Sequence, residues 1–495
     1  MTAVTSTNPT TGETHTLAFA ETTEHELRGI VDAAEAASLN LVALGRLGRA
    51  QLLEDIADAL DAARTNIVAT ADAETALGET RLAGELARTT YQLRFFGEVL
   101  REGSYLEATI DHAGDTPMGP RPDLRRMLVP VGAVAMYAAS NFRLAFSVPG
   151  GATAAALAAG SAVVVKAHPA HPQTSALVGS IMRAVAGDAV AVVYGYNAGI
   201  ALVSEPGIHA ASFTGSPGGG RALAELAASR PDPIPFYGEL GSINPVLVSP
   251  AAASARTAEI GQGLAASIVQ GGGQFCTKPG VVLVPAGIAG DALVGEISRL
   301  VTATAPKPAL TSGMATAFAA GIDALAAEPG ATALPSRAAS PGFTAPTLVE
   351  VDGDELSARL MEECFGPVAV VARYRDDAHA ARMLGALPGA LTGSLFLEPD
   401  DPGVPAARAA ISARVGRILY NQYPTGVAVS WAQHHGGPWP STDTVHTSVG
   451  ASSIRRFLRP VAWQNAPTGE LPPELRDGPA DFPRRIDGVL TLAER

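Results

Sequence analysis

Between residues 52 and 60 the apolar side chains Leu52, Leu53, Ile56, Ala59 and Leu60 recur at helical spacing, with Glu54, Asp55 and Asp58 on the other side. A second helical pattern runs from about Ala83 to Leu100, so the first hundred residues read as mostly helical. The texture then changes. Ser104 to Met127 carries Gly114, Pro117, Gly119, Pro120 and Pro122, which mark turns, and short strands are expected at Tyr105–Ile110 and Arg126–Val129. From Val131 to about Tyr237 the pattern alternates strand, turn and helix. Strands are predicted at Val131–Tyr137, Ser161–Lys166, Val190–Tyr194 and Ala211–Thr214, with helices at Gly150–Ala159 and Gln173–Val185. Alternation of this kind implies βαβ units and a parallel sheet. The texture resumes near Pro245–Val248, Val281–Val284, Pro367–Ala372 and Leu391–Leu397. After Pro438 the chain reads as irregular, and Pro460 to Pro483 is rich in proline, as a tail draped over a partner subunit or its own surface would be.

Composition narrows this picture. The 495 residues suggest two to four domains, and 47% hydrophobic with 17% charged residues suits large buried cores. A net charge of −13 argues against nucleic acid as the main partner, because phosphate neutralisation needs a basic face. It leaves room for an anionic small molecule held by a local arginine. The only cysteines, Cys276 and Cys364, make a secreted disulfide framework the poorer reading. Met1 to Thr10 is polar without an apolar h-region, and Met127 to Ala139 is too short to span a membrane and contains Pro130 and Gly132. A soluble cytoplasmic protein is expected.

Several segments carry chemistry. Gly215-Ser216-Pro217-Gly218-Gly219-Gly220 follows the strand ending at Thr214 and is expected to open a helix at Arg221–Ala228, offering free N–H groups to a phosphate. It resembles a Walker A loop, but Arg221-Ala222 stands where Lys-Ser/Thr belongs; a plain glycine turn is the alternative. Cys276 follows Gly271-Gly272-Gly273, a run that lets the backbone approach a ligand and exposes a thiol on a loop, whereas Cys364 reads as a small buried hydrophobe. Glu239 lies between Gly238 and Leu240-Gly241 in an apolar setting, where desolvation would raise its pKa and suit it to act as a general base; a capping or surface Glu is the alternative. Asn141 follows the first strand and could donate to an oxyanion or simply form a turn. Lys166 ends an apolar strand, a common ligand position in open α/β sheets, or is a solvated strand end. No Cys/His set has metal-ligand spacing, and His434-His435 has no further partner at zinc spacing, so no metal is expected.

Taken together, the order and spacing of Asn141, Lys166, Phe213-Thr214-Gly215-Ser216, Gly238-Glu239-Leu240-Gly241, Gly273-Gln274-Phe275-Cys276 and Glu363-Cys364-Phe365-Gly366-Pro367 resemble the NAD(P)-dependent aldehyde dehydrogenase superfamily, from about Glu24 to the 450s. A finer resemblance is to 2-oxoglutarate semialdehyde and NADP-linked fatty aldehyde dehydrogenases. It is carried by Gly119–Arg126, Lys166–Pro172, Tyr423–Val427, His435–Pro438, Thr447–Gly450 and Ile454–Pro460.

The resemblance implies an α/β fold with a Rossmann-like dinucleotide-binding domain (1–103 and 130–240), an α/β catalytic domain (241–437) and a small β oligomerisation element with a C-terminal tail (104–129 and 438–495). It implies Cys276 as nucleophile, Glu239 as the base that activates water, and Asn141 with the Cys276 N–H as oxyanion hole. For the cofactor it implies Lys166 on the adenosine ribose, Ser216 with Gly215 on the pyrophosphate, Glu363 on the nicotinamide ribose, and Phe365, Leu240 and Pro169 nearby. Substrate contacts are implied at Phe142, Arg143, Phe275 and Tyr423. Two departures stand out. Arg143 replaces the usual proline, which points to a changed turn or substrate mouth. Pro169 replaces the glutamate common in NAD-preferring members, so NADP is the expected cofactor, with NAD as the alternative and with His168, His171 or Arg221 as further positive groups toward a 2′-phosphate. The implied substrate is an aldehyde, 2-oxoglutarate semialdehyde first and medium- or long-chain aldehydes second, and the implied assembly a homodimer or homotetramer. Rival classes are a phosphate-binding NTPase, and a cysteine acyltransferase, which would need a histidine base that the sequence does not place near Cys276.

Overall fold

The structure is a computed structural model that describes residues 2–334, 336–399, 401 and 404–493. Its first sheet has the order Phe236–Glu239, Ala210–Thr214, Val134–Tyr137, Val163–Lys166, Val190–Val193. Every neighbouring pair is parallel. Val163, Val164 and Val165 are fully buried, as a strand covered by helices on both faces requires. Each such side chain stabilises the fold by about 1.5–3 kcal/mol. The covering helices include Glu24–Ala43, Gly45–Ala62 and Glu79–Glu102, which bury Leu27, Leu53, Ile56 and Leu93 in the same core.

The chain enters this sheet at Val134–Tyr137, builds outward to Val190–Val193, then returns to lay Ala210–Thr214 on the other side. The strand order thus reverses beside Val134–Tyr137, which opens a crevice at the carboxyl ends of the strands. In register, Tyr137 lies opposite Lys166 and Phe213, and Thr214 lies opposite Glu239. Asn141, Lys166, Ser216 and Glu239 therefore share one edge.

A second sheet has the order Thr332–Ala333, Thr347–Asp352, Val368–Tyr374, Val281–Pro285, Val246–Val248, Ala390–Phe396, Val415–Tyr420, and only its first pair is antiparallel. The segments bearing Cys276 and Glu363 lead into two adjacent strands of this sheet, Val281–Pro285 and Val368–Tyr374, at their amino ends. The carboxyl edge of one sheet thus faces the amino edge of another.

The first hundred residues are mostly helical, as expected, after an antiparallel pair formed by Ala3–Thr7 and Thr14–Ala20. Three expectations need correction. Tyr105 sits in a tight helical turn, Ser104–Leu106, and the strand starts only at Thr109. The tail is less irregular than its prolines suggest, because Leu458–Gln464 pairs along its length with Leu124–Pro130 in a third sheet. That strand lies at a sheet edge, where Pro460 leaves no ladder bond unmade on its outer side. The helix after Ser216 starts at Pro217 rather than Arg221, so Gly218, Gly219 and Gly220 belong to its first turn. Proline at the first helical position and a serine cap explain the earlier start. Among the described residues, no helix is long and apolar enough to cross a membrane.

Candidate active site

The helix Thr257–Val269 ends in three consecutive left-handed residues, Gly271 (φ 58°), Gly272 (φ 68°) and Gly273 (φ 67°). Only glycine adopts such a run without strain. It reverses the chain and carries Gln274, Phe275 and Cys276 into the crevice. A Cβ on Gly273 would stand 2.3 Å from the Gly366 carbonyl carbon and the Pro367 nitrogen, so the cysteine loop packs backbone to backbone on the Glu363–Pro367 segment.

Cys276 is half-buried, and its Sγ lies 3.8 Å from His435 Nε2. The same nitrogen is 3.1 Å from Glu239 Oε1, and Ser448 Oγ donates to Glu239 Oε2 at 2.6 Å. His435 is fully buried. Its backbone N–H donates to Thr447 Oγ1 at 2.8 Å, and its Nδ1 has no partner among the described residues. Burial alone would raise the Glu239 carboxyl, as the sequence suggested. The His435 charge, hydrogen bonds from His435 and Ser448, and the buried Arg456 outweigh that and hold it below the usual range. Glu239 is thus an anion braced by donors, not an acid kept neutral by desolvation. Burial and the charges of Glu239 and Glu363 push the Cys276 thiol well above its ordinary value. At neutral pH it is a thiol that needs a base, and the base is in contact.

Asn141 is buried, and its carboxamide nitrogen donates to the Gln274 carbonyl at 3.0 Å, which sets it beside the cysteine loop. Its own carbonyl accepts from Arg81 and from Arg143, each at 3.2 Å. Arg143 is not at a substrate mouth. It is fully buried beneath the Asn141 turn, where burial lowers its pKa to about 9. Phe142 and Phe275 meet edge to face at 5.1 Å, with the Arg81 guanidinium over both rings. Tyr423 is not brought into this cluster: its hydroxyl donates to the Glu259 carbonyl at 3.0 Å and its ring packs on Phe396.

The cofactor candidates line the sheet edge. Ser216 Oγ caps the helix by accepting from the Gly219 N–H at 3.3 Å, and Gly215 N–H donates to the Glu239 carbonyl at 3.0 Å. Leu240 is packed under Gly220, where a Cβ would meet it at 2.2 Å. A Cβ on Gly241 would lie 2.8 Å from a Glu363 carboxylate oxygen and 2.9 Å from the Pro217 ring, so bare backbone joins the helix start to Glu363. Burial, partly offset by Lys278 and by a hydrogen bond from Ser242, raises Glu363 to about 7. Lys166 lays its stem on Gly199 and has no carboxylate in ion-pair contact among the described residues. Burial lowers its pKa, opposed by the charge of Glu21, an acid from the amino-terminal hairpin that the local sequence did not reveal. Phe365 is half-buried and Pro169 exposed. A helix N-terminus, a half-buried lysine and glycines at close approach suit a dinucleotide. His168 and His171 add no charge there. The two rings stack on each other, His171 fully buried and His168 partly so, and burial pushes His168 well down and His171 to about 3. Arg221 lies over the Trp439 ring.

Sequence reasoning missed His435 as a neighbour of Cys276 and Glu239, from which it is separated by 159 and 196 positions. Its only signal was membership of the His435–Pro438 stretch. The rival cysteine acyltransferase reading therefore has the histidine it lacked. The ligating atoms of Glu239, Cys276 and His435 lie within 4.8 Å of one another, a grouping that could hold a cation and that linear spacing hid.

The model of the aldehyde dehydrogenase family matches residues 2–459. The chain is 45% identical over 467 residues to alpha-ketoglutaric semialdehyde dehydrogenase 2 of Azospirillum brasilense, covering 89% of this chain and 87% of that one. It is 40% identical over 488 residues to alpha-ketoglutaric semialdehyde dehydrogenase of Acinetobacter baylyi, covering 96% and 93%. In fold it is similar to aldehyde dehydrogenase 21 from Physcomitrella patens in complex with the reaction product succinate, with a TM-score of 0.80 at 20% identity over 95% and 96% of the chains. It is also similar to 1-pyrroline-5-carboxylate dehydrogenase from Thermus with bound NAD, with a TM-score of 0.79 at 22% identity over 93% and 89%.

Proposed function

The chain belongs to the aldehyde dehydrogenase family, whose members oxidise aldehydes with NAD(P)+, and on that premise we propose that it oxidises 2-oxoglutarate semialdehyde to 2-oxoglutarate, with NADP preferred over NAD. The observation that carries the reaction type is the contact series Cys276 Sγ, His435 Nε2, Glu239 Oε1, at 3.8 and 3.1 Å.

In this reading His435 takes the Cys276 proton as the sulfur adds to the aldehyde carbon. The aldehyde oxygen becomes an oxyanion held by the Asn141 carboxamide and the Cys276 backbone N–H; one such donor contributes roughly 2.7–4 kcal/mol to lowering a barrier. When bound, the dinucleotide supplies the hydride acceptor that turns the thiohemiacetal into a thioester. Glu239 then takes a proton from water, the hydroxide adds to the thioester carbon, and the carbon–sulfur bond breaks to free the acid and the Cys276 sulfur, which takes its proton back from His435. Lys166, Ser216 and Glu363 are read as the residues that hold the cofactor, and the Phe142–Phe275 pair as the wall of the substrate channel.

We read 1–103 and 130–240 as the cofactor domain, 241–437 as the catalytic domain, and 104–129 with 438–495 as an oligomerisation element whose Ser448 also reaches Glu239. Its edge strand Val489–Thr491 leaves Val489 and Leu490 exposed, which suits pairing with a second copy in a cytoplasmic homodimer or homotetramer. His435 beside Cys276 keeps acyl transfer as a second reading. An aldehyde panel run with both cofactors, without metal or coenzyme A, tests the proposal. Growth of NAD(P)H absorbance, fastest with 2-oxoglutarate semialdehyde, supports it. Fastest growth with medium-chain aldehydes replaces the substrate, and none with any aldehyde replaces the reaction.

A further inference from the structure

The helix Glu79–Glu102 turns Arg81, Glu85 and Arg88 into one cleft of about 700 Å³, whose opposite walls include Phe142, Phe275 and Lys307. Arg88 stands at the inner side of this group. One of its terminal nitrogens, Nη1, donates to the Val427 carbonyl, and its guanidinium lies 5.8 Å from the Phe146 ring centre. The Phe146 ring is 6.4 Å from that of His435, so the guanidinium is separated by one aromatic ring from the nitrogen that touches Cys276. The remaining donors of Arg88, Nε and Nη2, are buried and have no partner among the described residues. These two form the side edge of the guanidinium, the edge that takes both oxygens of a carboxylate at once.

The surroundings leave that edge available. Glu85, one turn away, is the nearest acid on the helix and its charge acts on Arg88; its Oε1 accepts from the Leu144 and Ala145 N–H groups at 2.8 and 3.1 Å, and its Oε2 is buried without a partner among the described residues. No ion pair joins it to Arg88 among the described residues. Arg81 and Lys307 make the rest of the cleft positive. A second guanidinium comes from the strand Val415–Tyr420: Arg417 Nη2 donates to the Pro424 and Gly426 carbonyls at 3.1 and 3.0 Å, and its Nε is also buried without a partner. Burial lowers the pKa of both arginines. An unpaired buried guanidinium edge is costly, and the cost is removed by an anionic ligand.

We propose that Arg88 receives the distal carboxylate of the substrate on its Nε–Nη2 edge, so that the site selects aldehydes bearing a carboxylate over neutral aldehydes of the same length. This rests on the semialdehyde reading and assigns its selectivity to one side chain. Arg88 also braces the loop at Val427, and a variant could fail through that role alone. The readout is therefore a ratio. Measure kcat/KM for 2-oxoglutarate semialdehyde and for pentanal in the wild type, Arg88→Met and Arg88→Lys. A charge-assisted bidentate contact predicts that the semialdehyde-to-pentanal ratio falls roughly 30- to 100-fold in Arg88→Met, chiefly through KM, and recovers partly in Arg88→Lys. Equal losses for both aldehydes would show a loop brace and overturn the proposal. A wild-type preference that survives in Arg88→Met would overturn the role of Arg88 alone. A wild type with no preference for the carboxylate would overturn the semialdehyde reading and this inference with it.

Discussion

His435 Nε2 stands between Glu239 and Cys276, 3.1 Å from the carboxylate oxygen and 3.8 Å from the sulfur. A single ring nitrogen thus touches both the carboxylate and the thiol. Burial first, and the Glu239 charge second, hold the thiol well above its ordinary range.

Removing that charge should make the thiol more acidic. In Glu239→Gln the pH midpoint for alkylation of Cys276 by iodoacetamide is expected to shift downward, while burial still keeps it above that of a free cysteine. A midpoint that stays or rises would mean that Glu239 activates the thiol at rest.

His435→Gln should keep the packing close to native but remove the base that takes the thiol proton. The expected outcome is a fall in kcat of about 10²- to 10⁴-fold, the range for loss of a positioned acid–base group, with cofactor affinity little changed. Stopped-flow measurement of the first turnover checks it. An unaltered first turnover would remove His435 from the acylation step.

The acid side of stability should report His171. Its Nε2 lies 2.9 Å from the Ala139 carbonyl and its Nδ1 3.2 Å from Ser175 Oγ, and burial depresses its folded pKa to about 3. The unfolded chain, with a histidine pKa of about 6.5, therefore binds the proton first. Stability is full above about pH 6.5 and is lost as pH falls toward 3, by roughly 1.4 kcal/mol per pH unit. Urea-unfolding midpoints between pH 4.5 and 7 should be steeper in pH for the wild type than for His171→Gln. Parallel curves would assign the acid sensitivity elsewhere.

On the cofactor, Lys166 without an ion-pair partner and Pro169 in place of an acid predict a kcat/KM ratio favouring NADP over NAD. Pro169→Glu should lower NADP efficiency far more than NAD efficiency. Glu21, whose charge reaches Lys166, limits the margin, and Glu21→Gln should widen it. Equal losses in Pro169→Glu would place that position away from the 2′-phosphate.

The central strands of both large sheets were legible because fully buried parallel strands leave unbroken apolar runs such as Val163–Val165, whereas Phe236–Glu239, Thr347–Asp352 and Val415–Tyr420 were not read from the sequence. The candidate site was legible wherever a residue sits in a local motif at a strand end or beside glycines, as Asn141, Glu239 and Cys276 do. What local sequence could not carry was long-range: His435 reaching Glu239, Arg143 folding under Asn141, and Glu21 acting on Lys166. Nor could it carry the balance of electrostatics at Glu239. An apolar neighbourhood in sequence suggested a raised pKa, and the donors that reverse it come from His435, Ser448 and Arg456. The strand Leu458–Gln464 was hidden because its proline is acceptable only at a sheet edge, which pairing alone reveals.

The central claim is a thioester on Cys276 that Glu239 hydrolyses by activating water, and peptide mass spectrometry of Glu239→Gln tests it most directly. The variant is mixed with 2-oxoglutarate semialdehyde and NADP+, quenched in acid and digested. The account predicts about one NADPH per site in a rapid first phase, slow turnover afterwards, and an acyl adduct of the product acid on the peptide bearing Cys276 and on no other. Full steady turnover without an adduct, or an adduct on Cys364 instead, would contradict it.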